Sequence, residues 1–190
     1  MNITLYGAAS DKIDRVYIDR VEELGRVMAR RGHTMVFGAG ATGLMGAAAR
    51  GMAECGGKIV GVTPHFMHTL EPVSTLCTEL IATETMAERK TIMEEKADAF
   101  IIVPGGIGTF DEFFQILTLR VLGRHKKPII LYNININGFW DNIIAVIGTD
   151  LIKGFISTDV ANCFCICETP ESVFHEIEAP HRADDDDDEE

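Results

Sequence analysis

Two segments of this chain carry residue types at spacings that could do chemistry. One is Val103-Pro104-Gly105-Gly106-Ile107-Gly108-Thr109-Phe110-Asp111-Glu112, which follows the most apolar stretch of the chain and leads into Phe113, Ile116 and Leu117, three residues on one helical face. Glycines let a backbone turn sharply and approach a ligand closely. The amides at a helix start point outward with the positive end of the helix dipole. Together these make a cradle for a phosphate. It is not a Walker loop, since no Lys-Ser/Thr pair follows the last glycine. Thr109-x-x-Glu112 has two readings: a capping box, in which the carboxylate satisfies the cap residue's amide, or an acid left at the disposal of a ligand.

The other segment is Met86-Ala87-Glu88-Arg89-Lys90-Thr91-Ile92-Met93. It reads as a helix that begins soon after Thr83 or Thr85. At 100° per residue Met86, Met93 and Ala97 form one stripe, with Arg89 and Lys90 on its two sides. Cations beside a stripe that faces the interior are costly unless they meet anions, or unless their stems lie along a sheet edge with the charged heads in water.

A second glycine-rich run, Gly38-Ala39-Gly40-Ala41-Thr42-Gly43, matches the dinucleotide pattern G-x-G-x-x-G. Its context argues against a dinucleotide. The run follows the second strand, and the next strand ends in Thr63-Pro64, where an acid for a ribose hydroxyl should stand. Close helix-to-strand packing through glycines explains the pattern better. Cys163, Cys165 and Cys167 alternate and on a strand would share a face, but three thiols there do not close a tetrahedron around zinc, and no metal site is expected. His65 and His68 read as residues of a Pro-containing loop.

The elements that must position these segments alternate along the chain. Residues 2–6, 33–37, 58–63, 79–82, 99–103, 128–132 and 164–167 read as strands, with helical patterns such as residues 14–31 between them. Phe100-Ile101-Ile102-Val103 is continuously apolar, the mark of a strand buried on both faces. The expectation is a single α/β domain over residues 1–179: a Rossmann-like, doubly wound parallel sheet whose ligands bind beyond the carboxyl ends of the strands. The 190 residues suit one core. Of the formal net charge of −12, seven units belong to the acidic run at 184–190, leaving −5 elsewhere. Residues 180–190 read as a disordered acidic tail. No basic stripe for nucleic acid, no membrane span and no secretory leader is apparent. Five cysteines without an export signal suit a reducing, cytoplasmic compartment.

The paired signature Met86-x-x-Arg89-Lys90 and Pro104-Gly105-Gly106-x-Gly108-Thr109-x-x-Glu112 resembles that of the "Lonely guy" (LOG) cytokinin riboside 5′-monophosphate phosphoribohydrolases. The resemblance runs from Leu5-Tyr6-Gly7-Ala8-Ala9-Ser10 to Asn137-Gly138-Phe139-Trp140. It implies an N-glycosidase that releases a free purine base and ribose 5-phosphate from a nucleoside 5′-monophosphate, without a cofactor, and that works as a homodimer. By likeness Arg89 and Glu112 take the family's catalytic positions. Met86, Lys90, Gly105, Gly106, Ile107, Gly108, Thr109 and Asp111 fall in its substrate-binding stretches. Glu71, in the loop after the third strand, and Thr118, one and a half turns after Glu112, fall where the family contacts substrate. An N-glycosidic bond breaks through an oxocarbenium-like transition state, so a carboxylate near the anomeric carbon stabilises the developing charge and orients water. On this reading Glu112, close to a helix start, stays ionised. Two departures stand out: residues 65–78 lack the family's Met-Pro-x-Glu wording, and the loop at Gly38 reads Gly-Ala-Gly in place of three glycines. The rival of the same fold is a non-catalytic binding protein like the molybdenum-cofactor carriers. A lysine decarboxylase is disfavoured, for want of a setting for a lysine Schiff base with pyridoxal phosphate.

Overall fold

A computed structural model describes residues 1–134 and 138–179; the acidic run expected to be a disordered tail lies outside them. Seven parallel strands form one sheet in the order β4-β3-β2-β1-β5-β6-β7: β1 (Asn2–Tyr6), β2 (Thr34–Phe37), β3 (Lys58–Pro64), β4 (Glu79–Thr83), β5 (Ala99–Ile102), β6 (Ile129–Tyr132) and β7 (Cys165–Cys167). All seven strands read from the sequence are present, with ends shifted by at most a residue.

Alternation along the strands sorts side chains into two cores. Ile3, Leu5, Met35, Phe37, Ile101 and Val103 face α1 (Arg15–Arg30), α2 (Gly43–Glu54) and α6 (Pro170–Glu178). Tyr6, Val36, Val62, Phe100, Ile102 and Leu131 face α3 (Met86–Lys96), α4 (Ile107–Val121) and α5 (Asp141–Ile152). Helices on both faces give the doubly wound class that the strand pattern implied. Cys163 precedes β7 and packs with the second core, while Cys167 packs with the first. The expected one-face alternation of three thiols therefore fails: Cys163 Sγ donates to the Asp159 carbonyl at the end of a 3-10 turn (Thr158–Asn162).

The chain leaves β1 toward β2, β3 and β4 and then returns to β5 on the other side of β1. Connections diverge at that point, so a crevice opens beyond the carboxyl ends of β1 and β5. Two hydrogen bonds hold the two exits together, Val103 N to the Tyr6 carbonyl (2.9 Å) and Ala8 N to the Pro104 carbonyl (3.1 Å). Gly7 lets them come this close, because a methyl there would overlap Val103 Cγ2.

Candidate active site

Helix α3 brings Arg89 to this crevice. It begins at Thr85, whose hydroxyl accepts from Glu88 N (3.1 Å), while the Glu88 carboxylate accepts from Glu84 N (2.9 Å). Below, the buried hydroxyl of Thr4 on β1 donates to the Met93 carbonyl (2.9 Å) and ties the helix to the sheet. Met93 and Ala97 are buried, as the stripe required, but Met86 is partly exposed.

Arg89 is 7% exposed. Its guanidinium lies on the backbone of Gly38 at the end of β2, where a methyl would overlap Nη2 and come within 2.8 Å of Cζ. Nη1 donates weakly to Met86 Sδ (3.8 Å), and the buried Nε has no partner among the described residues. Buried polar groups are almost always hydrogen-bonded, and an unneutralised buried cation is costlier still. An orphan of this kind marks a place prepared for an anion or another acceptor.

Glu112 reaches the same space from α4. The helix starts at Ile107 with Gly106 as its cap residue, so Thr109 is the third residue inside it and the capping-box reading of Thr109 and Glu112 fails. Thr109 is buried, packed on Gly105 so closely that a methyl at Gly105 would overlap its Oγ1. Unlike α1, α3 and α6, which carry side-chain caps from Asp14, Thr85 and Thr169, α4 has none. The amides of Gly106, Ile107 and Gly108 take no acceptor among the described residues, and all three residues are exposed. The expected cradle is thus open.

The expectation that Glu112 stays ionised needs correction. Burial pushes its carboxyl up to about 7, against the pull of Arg89 and Lys90 and with a small push from Asp111. Glu112 sits in the second turn of α4, beyond the reach of the exposed amides whose dipole was expected to hold it charged. Arg89 and Glu112 influence each other through space without forming a contact ion pair. Tyr6, at the end of β1 and buried, was not singled out in the sequence. Burial, then Glu112 and Glu94, raise its hydroxyl pKa, so it stays protonated beside the pair.

The remaining residues divide. Lys90 is ion-paired with Asp111, so the two are engaged with each other, not free. Glu71 lies beside Gly40 in a small hollow lined also by Gly38, Thr63, Met67 and Val73. Thr118 does not join the group: it is exposed, donates to the Phe114 carbonyl (2.7 Å), and lies about 120° around α4 from Glu112. The histidine loop is a 3-10 turn (His65–Thr69) with the two rings 6.0 Å apart.

The loop at Gly38 is tied to two neighbouring segments. Leu44 N (2.8 Å) donates to the Ala8 carbonyl, Gly43 N (3.1 Å) to Asp11, and Ala41 N (3.0 Å) to the Pro72 carbonyl. With these amides taken, α2 offers no dinucleotide cradle, and glycine packing accounts for the pattern. Ala39 occupies the left-handed region (φ 62°), a strain of roughly 1 kcal/mol for an L-residue that a glycine would avoid.

Strand order and the switch-point crevice define a Rossmann-like α/β protein whose unpaired glycine amides lie beyond β1 and β5. A family model described as "Possible lysine decarboxylase" matches residues 45–177. A cytokinin riboside 5′-monophosphate phosphoribohydrolase of Mycobacterium tuberculosis is 40% identical over 155 residues, 82% of this chain and 81% of the relative. One of Rhodococcoides fascians is 34% identical over 180 residues, 94% of this chain and 90% of the relative. The chain belongs to this LOG family. A molybdenum cofactor carrier protein of Chlamydomonas reinhardtii shares the fold, with a TM-score of 0.69 at 19% identity over 93% of this chain and 95% of that one.

Because only a flexible side-chain end opposes a methyl at Gly38, Gly38→Ala should leave the melting temperature within a few degrees of wild type. It should still lower nucleotide turnover about a hundredfold, by moving Arg89. Turnover near the wild-type value would show that the floor beneath Arg89 does not matter.

Proposed function

We propose that the chain hydrolyses the N-glycosidic bond of a purine nucleoside 5′-monophosphate, either AMP or an N6-modified adenine nucleotide, to free base and ribose 5-phosphate. The observation that carries this reading is the buried, unneutralised Arg89 facing Glu112 beside free glycine amides. The amides of Gly106, Ile107 and Gly108 hold the 5′-phosphate, supplying binding energy away from the reacting centre. Arg89 holds substrate in register, and ionised Glu112 stabilises the oxocarbenium-like centre and orients water. The family relatives named above support the reading through their own stated activity. A carrier without catalysis is the alternative, and the Arg89 and Glu112 arrangement favours the enzyme. Lys90, beside Arg89, is committed to Asp111, which leaves it unsuited to the Schiff base of a lysine decarboxylase.

Incubation with AMP should release adenine, with unphosphorylated adenosine a far poorer substrate. Glu112→Gln and Arg89→Ala should abolish release while the fold persists. Since the ionised form of Glu112 acts and its pKa is about 7, kcat/KM should fall as pH drops below about 7. Release unaffected by either substitution would remove that residue from the mechanism, and equal rates for adenosine would remove the phosphate cradle.

We infer further that the chain acts as a homodimer in a reducing, cytoplasmic setting. Ile107, Phe114, Val121 and Leu122 form an exposed apolar stripe along α4, with Thr118 between them, and a two-fold contact would cover it. The five cysteines are free, and no described helix is long and apolar enough to cross a membrane. Light scattering should give twice the monomer mass, and Leu122→Asp should weaken association; a monomer at micromolar concentration would contradict the proposal.

A further inference from the structure

Thr4 and Tyr6 stand two residues apart on β1 and so share one face of the sheet, the face covered by α3 and α4. The Thr4 hydroxyl meets the Met93 carbonyl of α3, which sets the level of that helix against the strand. Two residues up a strand is a rise of about 6.6 Å, which a helix covers in roughly four residues. Because α3 joins the parallel strands β4 and β5, it runs against their direction, and four residues back from Met93 stands Arg89. Tyr6 is therefore level with Arg89, at the floor of the crevice.

Its ring lies parallel to that of buried Phe100, with 9° between planes and 6.2 Å between centroids, and only 3% of the residue is exposed. The Tyr6 hydroxyl makes no hydrogen bond among the described residues, nor does the carboxyl of Glu112. After burial, Glu112 is the group that acts most strongly on that hydroxyl, and Arg89 acts on it as well. A buried phenol without a partner is uncommon, and here it stands beside a second group that lacks one.

We propose that the Tyr6 hydroxyl and the Glu112 carboxylate hold one neutral oxygen between them, either a water or a ribose hydroxyl of the substrate. A phenol donates one hydrogen bond and an ionised carboxylate only accepts, so an O–H placed between them accepts from Tyr6 and donates to Glu112. An anionic oxygen does not suit this place, because the carboxylate repels it; phosphate belongs with the glycine amides. Tyr6 thus deepens the glycosidase reading, on which its rate readout rests, by adding a donor from β1 to the groups supplied by α3 and α4. Its hydroxyl, kept protonated by burial and by the nearby acids, remains a donor throughout the neutral range.

The test is Tyr6→Phe, which keeps the ring against Phe100 and removes only the hydroxyl. The variant should melt no more than a few degrees below wild type, because no protein hydrogen bond is lost. A larger fall would give the hydroxyl a structural partner and overturn the proposal. With AMP its kcat/KM should drop about tenfold, and turnover equal to wild type would overturn the proposal as well. Two analogues, 2′-deoxy-AMP and 3′-deoxy-AMP, then locate the oxygen. If it is a ribose hydroxyl, the penalty of Tyr6→Phe should vanish on the analogue that lacks it; if it is water, the penalty should persist on all three nucleotides. If wild-type protein releases no base, the glycosidase reading fails and no attacking water is needed. Titration calorimetry with AMP then decides for Tyr6: about tenfold weaker binding in Tyr6→Phe keeps the proposal, and equal affinity overturns it.

Discussion

A guanidinium buried in a crevice loses water, and Arg89 Nε recovers no partner in a salt bridge or a hydrogen bond, while the partly buried carboxyl of Glu112 stands near it without contact. That cost is the constraint around which the site of this protein is arranged. Arg89 lies almost wholly buried on the bare backbone of Gly38, and burial outweighs the attraction of two nearby cations enough to carry Glu112 to about 7. On the proposed function, a substrate anion or hydroxyl supplies the partner that Arg89 Nε lacks.

The topology explains why the cost falls here. β1 and β5 adjoin at the switch point, and α3 and α4 start from strands on opposite sides of it, so residues 23 positions apart in the chain converge above one seam. Two glycine-rich loops flank that seam with opposite fates. In the loop at Gly38 the amides of Ala41, Gly43 and Leu44 are taken by Pro72, Asp11 and Ala8, which makes it a floor, strained at Ala39. The loop at Gly105 keeps its amides free and uses Thr109 as an internal strut. Glycine content alone does not separate a floor from a cradle; the destination of each amide does.

Much of this was legible in the sequence because it is local. Strand positions follow from apolar runs and alternation, the start of α3 from the threonines at 83 and 85, and the open glycine loop from glycines after the most apolar strand. Arg89 and Glu112 stood out because a cation beside a buried stripe and an acid after a phosphate loop each need a reason. What was not legible depends on contacts between distant segments. The engagement of Lys90 with Asp111, the floor that Gly38 gives Arg89, and the nearness of Tyr6 arise where β1, β2, α3 and α4 meet. The acidity of Glu112 was misjudged because the helix begins at Ile107, two residues before Thr109, which puts the acid a turn deeper than a capping residue. The spacing Thr-x-x-Glu is the same in both cases, and only the burial differs.

The most direct measurement is the pH dependence of stability in wild type and Glu112→Gln. Below pH 4.5 the carboxyl is protonated in both folded and unfolded chains. Between 4.5 and about 7 the unfolded chain ionises first, so wild type loses stability, and above 7 the loss is complete. The variant carries no such loss. It should match wild type near pH 4.5 and exceed it at pH 8 by on the order of 1 to 3 kcal/mol, the upper figure reduced by the partial exposure of the side chain. A variant no more stable than wild type at pH 8 would mean that Glu112 is neither strained nor held for a ligand.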